Sequence, residues 1–531
     1  MPSGEDMPLP DPDTVAAPVP RVDAAAPSRP QDHLRAIGRG GTAMLFGQLA
    51  NYGLRYIATV IVGRGLGRAM LGAFGLVMQL ERFTQVLADA GLPQANQKFV
   101  ADCLARDDRA GARATARLTG ALSFVFTFTL FAVLWALSPA IADRFYHRPD
   151  LVLPLRIAAL ALPLASITGT LLSVQQAARN VLPLVLIARV GVPLLFLAGV
   201  SCVVYVKGSL IALVWAYVLA AGAGLLAALL VFARWLSAAH DGGERTVWLR
   251  QVLRFSITMC VAAIAGSVIS MADLLVLKKF VSDEQLGVYY AAARTAFFIS
   301  FPLFAMNALY APVISHLFAL GDTPGLRHTY VTTTRWSTGA AFGLYGPMVI
   351  APSLIMGIFG RGFHGGGLVL VLLGAGQLVN SATGGVAWML AMTGGQALLA
   401  WTNWACAAIS VGGLIFACRW WGAAGAAACV GSVVALANIV RLVWVWRRLG
   451  LHPFDARYGI CWLATGALIG VMSGLGRLGG AWASAAALAG YVVLFPVAMW
   501  YGWLARENPL AARRRATVPP DPTAPTDVDP T

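Results

Sequence analysis

Between residues 41 and 504 the chain is a succession of apolar stretches, each 21 to 25 residues long, separated by short polar or glycine-containing breaks. An α-helix rises 1.5 Å per residue, so about 20 apolar residues cross the ~30 Å hydrocarbon core of a bilayer. Fourteen such stretches lie near 41–63, 70–91, 117–141, 151–174, 182–205, 209–233, 254–277, 286–310, 331–353, 367–391, 396–418, 423–446, 457–477 and 481–504. Their continuous hydrophobicity, with Gly and Pro tolerated inside, predicts membrane helices. A barrel would show segments of about 10 residues that alternate apolar and polar positions.

The flanks differ in kind. Residues 1–38 are rich in Pro, Ala, Asp and Arg and contain no apolar run, which predicts a disordered tail rather than a signal peptide. Residues 507–531 read the same way, with Arg513, Arg514 and Arg515 ahead of a Pro/Asp/Thr-rich end.

Composition agrees with the pattern. The 531 residues are 58% hydrophobic and only 12% charged, with mean hydropathy +0.70, against roughly 25% charged in soluble domains. The net charge of +15 sits mostly in short loops and tails, where anionic lipid headgroups and topology account for it and nucleic acid is not expected. With the N-terminus inside, about 22 Lys/Arg fall on inner segments, about ten on outer ones and seven within spans. Both termini are therefore expected on the cytoplasmic side. Seven cysteines show no CxxC or zinc spacing and the histidines lie in tails and loops, so neither a metal nor a cofactor is expected.

An internal repeat divides the chain. Arg64 and Leu71-Gly72-Ala73-Phe74 are echoed at an offset of 215 residues by Lys279 and Leu286-Gly287-Val288-Tyr289, and Pro93 by Pro312 with a gap of four. Six spans separate the two copies, so they run in the same direction. The expected fold is an all-α integral membrane protein of about 14 transmembrane helices, with two parallel-repeat six-helix lobes around a central cleft and two extra C-terminal helices. Its units are a tail (1–38), an N-terminal lobe (39–235), a C-terminal lobe (236–450), two additional helices (451–506) and a second tail (507–531).

Charges inside the spans are the candidate chemistry, because an ionised group at that depth needs a partner or a wet cavity. Arg335 and Arg441 lie near inner ends and Arg156 near an outer end, where snorkelling to the interface serves. Arg55 and Arg294 each lie about eight residues, or ~12 Å, from the outer end of their helices, one in each lobe. Arg82 and Arg189 lie deeper or nearer the inner side. A guanidinium is always charged, and its planar fork matches phosphate oxygens; the alternative is ion pairing between helices. The acids are Glu81, Asp89 and Asp273, candidates for coupling to H⁺ or Na⁺, with helix caps or interlobe locks as the alternative for Asp89 and Asp273. Gln79, Gln377, Asn380, Asn403 and Asn438 suit interhelical packing. The glycine-rich segment 360–367 lacks the GK[ST] ending of a phosphate loop.

Several motifs resemble a known family. Asp273-Leu274-Leu275-Val276-Leu277, a short hinge, Leu286-Gly287-Val288-Tyr289-Tyr290-Ala291-Ala292-Ala293-Arg294 and Ala311-Pro312-Val313-Ile314-Ser315 look like the midpoint of the polysaccharide-exporter flippases. Val62-Gly63-Arg64-Gly65-Leu66-Gly67, Leu71-Gly72-Ala73-Phe74-Gly75-Leu76 and Ala88-Asp89-Ala90-Gly91-Leu92-Pro93 are similar to the start of O-antigen and exopolysaccharide flippases. That family shares a superfamily with multidrug extruders and lipid II flippases. The resemblance covers roughly residues 40–450 and implies an undecaprenyl-pyrophosphate-linked oligosaccharide as substrate in a bacterial inner membrane. It also implies a polysaccharide polymerase and a chain-length regulator as partners. An extruder of cationic drugs is the near alternative, disfavoured by seven in-span arginines against three acids. A membrane glycan polymerase or ligase is the more distant one, disfavoured because no outer loop exceeds about 15 residues and no Asp/Glu/His cluster appears.

Overall fold

The computed structural model describes residues 30–237, 249–454 and 456–499, and every regular element among them is helical. The long helices are α1 (Pro30–Asp89), α2 (Arg109–Pro139), α3 (Val152–Ala177), α4 (Val192–Tyr205), α5 (Leu210–Ser237), α6 (Leu249–Leu277) and α7 (Asp283–Ala296). They continue as α8 (Phe301–Ala319), α9 (Thr323–Ile350), α10 (Gly367–Ala382), α11 (Gln396–Leu449), α12 (Ala456–Leu478) and α13 (Gly480–Met499). Each of the fourteen apolar stretches lies on these helices or their short continuations. The tails fall outside the described residues, except that α1 already begins at Pro30, where proline's fixed φ suits a first helical position; the end of the last stretch, 500–504, is also outside.

Among the described residues, eleven helical segments are long and apolar enough to cross a membrane, or twelve when Thr323–Ile350 and Pro352–Phe359, bent by 94°, count as one span. Two of the eleven, Gly41–Asp89 and Gln396–Leu449, hold 49 and 54 residues, over twice the length one crossing needs. Both break at a glycine whose φ is positive, Gly67 (φ 84°) and Gly422 (φ 54°), a conformation that costs a residue with a Cβ 1 kcal/mol or more. Arg64 and Arg68 flank the first break and Trp420 and Trp421 immediately precede the second, and charges and tryptophans are interfacial residues. Large apolar side chains such as Leu219, Trp401 and Leu463 point outward, as lipid-facing residues do.

In the first half α3 packs against α1, α2 and α5; in the second, α11 packs against α6 and α10. Helices α12 and α13 dock on α9, where the Tyr491 hydroxyl donates to the Phe342 carbonyl (2.9 Å), and the Tyr458 hydroxyl of α12 donates to the Ala382 carbonyl at the end of α10 (2.9 Å). The halves meet where the second arm of α1 crosses α7. A Cβ on Gly72 would overlap the carbonyl oxygen of Asp283, and one on Gly287 that of Arg68. Gly72 and Gly287, like Arg68 and Asp283, are repeat-equivalent positions, so the contact is reciprocal, as a local two-fold relation requires.

Charges surround this crossing. Arg68 pairs with Glu284 (2.7 Å), Lys278 with Asp283 (2.5 Å), and Arg148 with Asp150 (2.6 Å) and with Asp283. Arg64 Nε donates to the Ile358 carbonyl (2.5 Å) and Arg68 Nη1 to that of Gly362 (3.4 Å). The carbonyl of Gly362 in the glycine-rich segment and that of Ile358 just before it thus accept from arginines on either side of the break at Gly67.

Candidate functional site: a cationic cavity between the halves

Inward from that crossing lies a cavity of about 310 Å³. The first arm of α1 presents Asn51, Tyr52, Arg55, Tyr56 and Thr59 to it, and the second arm Phe74, Met78, Arg82, Gln85 and Asp89. Positions 52, 55, 56 and 59 follow i, i+3, i+4, i+7, one stripe of a helix, which is how an otherwise apolar arm turns polar groups inward. Helix α7 brings Tyr290 and Arg294, and Phe297, Phe298 and Phe301 follow at its end.

Three arginines expected from the sequence therefore meet: Arg55, Arg82 and Arg294 line one cavity, from both arms of α1 and from α7. Arg55 Nε donates to Asn51 Oδ1 (3.0 Å), and its guanidinium lies 6.0 Å from the centre of the Tyr217 ring. Arg294 stands over the Tyr290 ring at 4.7 Å. Among the described residues no carboxylate lies within ion-pair distance of any of the three. Aromatic faces partly offset the cost of burying a cation, yet each guanidinium keeps donors free for an acceptor oxygen.

The other candidates separate. Arg189, expected with the cavity arginines, does not line the cavity; it is half-buried on the helical segment Leu184–Gly191 that runs into α4, its Cβ facing Gly47 of α1. Asp89 does line it, and accepts from the Ser166 hydroxyl on α3 (2.5 Å). Glu81 is fully buried behind the wall, its Oε1 3.5 Å from the Tyr217 hydroxyl. Asp273 lies away from the cavity and ties α6 to α7, accepting from the Tyr289 hydroxyl (2.8 Å) and from the Leu274 amide (2.7 Å). Arg441 differs from the snorkelling expectation: it is buried and donates to Thr402 Oγ1 (3.2 Å) and Asn403 Oδ1 (2.6 Å). Arg156 rests over the Trp135 ring (5.4 Å) and donates to Ser138 Oγ (3.2 Å). Asn438 donates to Asn380 Oδ1 (3.0 Å) and Gln79 to the Met271 carbonyl (3.3 Å), which is interhelical packing.

Sequence reasoning missed the aromatic wall. Tyr52 packs against Phe297 (4.9 Å) and edge-on to Phe301 (5.3 Å), and Tyr56 edge-on to Phe298 (4.8 Å), closing the seam between α1 and α7–α8. The density of aromatics at 297–304 was its signal. Tyr217, far along the chain on α5, left none.

Comparisons with known proteins agree with this architecture. A family model described as polysaccharide biosynthesis protein matches residues 37–318. No curated protein matches the chain. Among solved structures, the lipid II flippase MurJ in an inward closed conformation superposes with TM-score 0.67 at 10% identity, covering 87% of this chain and 98% of its own. An inward-facing multidrug resistance MATE family transporter of the MOP superfamily gives 0.63 at 16% identity, covering 76% and 98%. A MOP superfamily transporter from Pyrococcus furiosus, described as having a binding pocket of reverse polarity, gives 0.57 at 15% identity, covering 78% and 96%. At these identities the superpositions show the fold, whereas the family model spans more than half of the chain. The chain belongs to the polysaccharide biosynthesis protein family, a multi-pass membrane protein with the fold of the MOP superfamily transporters.

Proposed function

We propose that this protein flips an undecaprenyl-pyrophosphate-linked oligosaccharide from the cytoplasmic to the periplasmic leaflet of a bacterial inner membrane, for O-antigen, capsule or exopolysaccharide assembly. The observation that carries the reading is the convergence of Arg55, Arg82 and Arg294 on one cavity, with no ion-pair partner among the described residues. Such a cavity selects an anion, and fork-shaped donors at several angles suit the adjacent phosphates of a pyrophosphate. The sugars follow into the space lined by Asn51, Gln85 and the tyrosines, while the lipid tail stays in the bilayer. Each arm of α1 and α11 crosses the membrane once, residues 39–235 and 236–450 form the two lobes, and 451–506 are appended, with both termini cytoplasmic. Rocking of the lobes, which opens and closes the crossing at Gly72 and Gly287, exposes the cavity to either side in turn. A transporter of organic cations is the weaker reading, because the same three guanidinium groups repel a cation.

The test is transfer of an undecaprenyl-pyrophosphate-linked oligosaccharide in proteoliposomes, with Arg55→Ala and Arg294→Ala beside the native protein. Hydrogen bonds to charged groups contribute about 1.5–3 kcal/mol each, so each substitution is expected to lower transfer about ten-fold or more. Native-like transfer by both folded variants refutes the site. Efflux of organic cations without lipid transfer refutes the function.

A further inference from the structure

Glu81 is the group the flippase reading leaves unused. It is fully buried, and among the described residues its Oε2 has no hydrogen-bond partner. Its surroundings are specific: Arg82 follows it on α1, the Tyr217 hydroxyl of α5 approaches its other oxygen at 3.5 Å, and the Arg55 guanidinium lies 6.0 Å from the centre of that same Tyr217 ring. Glu81 therefore sits behind the arginine wall, sensing the charge of whatever those arginines hold.

The charges around the cavity define what happens on loading. Three guanidinium groups stand against two carboxylates, Glu81 and Asp89, leaving one net positive charge when the cavity is empty. A pyrophosphate diester is a dianion and leaves one net negative charge. Uncompensated charge in a poorly solvated site is expensive, and one proton restores neutrality. Asp89 keeps its Ser166 hydroxyl donor and faces the open cavity. Glu81 has neither solvent nor a partner for Oε2, and loses the favourable field of Arg55 and Arg82 once these bind phosphate.

We propose that Glu81 is a proton-binding site linked to occupancy of the cavity, taking one proton from water onto Oε2 when a pyrophosphate diester binds and returning it when the ligand leaves. The proposal rests on the flippase reading of the arginines. It makes the loaded cavity neutral during passage and gives the protein a means of coupling cargo to protons.

Linkage supplies the test, since a proton taken up on binding makes affinity fall as pH rises, by as much as ten-fold per pH unit for one full proton. The probe is a water-soluble short-chain prenyl-pyrophosphoryl sugar, whose two ester-linked phosphates do not titrate near neutral pH. Its affinity for the full-length protein in detergent is measured across pH 5–9. The native protein is expected to show the falling limb. Glu81→Gln is expected to bind at least as tightly, having lost a negative charge that faces the arginines, with the limb abolished. Tyr217→Phe removes the phenol that donates to the carboxylate, so the limb is expected at higher pH, which a merely structural tyrosine would not produce. A limb that persists unshifted in both variants, or that vanishes only in Asp89→Asn, overturns the proposal while leaving the flippase reading intact. Absence of probe binding to native protein overturns both.

Discussion

Substituting Gly72 by alanine tests whether the glycine crossing holds the two halves together. The new Cβ would lie 2.8 Å from the Gly287 nitrogen and 3.0 Å from the Asp283 carbonyl carbon, besides overlapping the Asp283 carbonyl oxygen. Ordinary carbon contacts begin near 3.5 Å, and all three obstacles are backbone, so no side chain can swing away. The second arm of α1 and α7 must part by about 1 Å, and overpacking of this kind costs about 1–3 kcal/mol. If the crossing opens when the cavity faces outward, the cost falls on the closed state alone. The open-to-closed ratio then rises about five- to 150-fold. Gly287→Ala should act alike, because the contact is reciprocal, and the two should not add. Gly266→Ala on α6 is the control, since its Cβ meets nothing within 4 Å. The assay is spin-label distance measurement between Arg68→Cys and Glu284→Cys in a background lacking the seven native cysteines. A longer-distance population that grows in Gly72→Ala and Gly287→Ala but not in Gly266→Ala is expected. An unchanged distribution in both crossing variants refutes the reasoning.

Two further outcomes concern stability. In the charge cluster Asp283 is only 13% exposed and meets both Lys278 and Arg148, whereas Glu284 is 52% exposed and meets Arg68; Asp283→Asn should therefore destabilise by about 3 kcal/mol and Glu284→Gln by less than about 1 kcal/mol, as thermal unfolding in detergent would show. Arg441→Leu leaves Asn403 without its donor and should lower stability by about 1–3 kcal/mol with little effect on probe affinity, whereas a functional arginine would lose binding first.

The architecture was legible because a membrane removes alternatives. With no water in the hydrocarbon, the backbone must satisfy itself within each segment, so an apolar stretch of 21 to 25 residues already reads as helix, although the stretch 367–391 is interrupted between Ala382 and Val386. The repeat was legible for a related reason: the glycines at 72 and 287 permit a backbone contact that no other residue does, and that requirement marks the chain locally. Gly67 and Gly422 fall in the breaks between stretches, at 64–69 and 419–422, so the places where the two longest helices divide were legible as well. That Arg55 and Arg294 belong together could be inferred from equal depth in two helices.

Rotation of each helix about its axis was not legible, and it decides the site. Depth along a span follows from counting residues, but whether a side chain faces lipid, a neighbour or the cavity depends on packing against helices distant in sequence. Arg189 and Arg82 read alike as in-span arginines, yet one abuts Gly47 and the other lines the cavity. Asp273 found Tyr289 while Glu81 found Tyr217, 136 residues away. The amino-acid sequence by itself determined the solvent, the helices, the repeat and the excess of buried positive charge, because hydrophobicity and backbone hydrogen bonding act locally. Only the tertiary structure decided which of those charges share one cavity and which are spent holding helices together, because that choice is made by contacts between segments far apart in the chain.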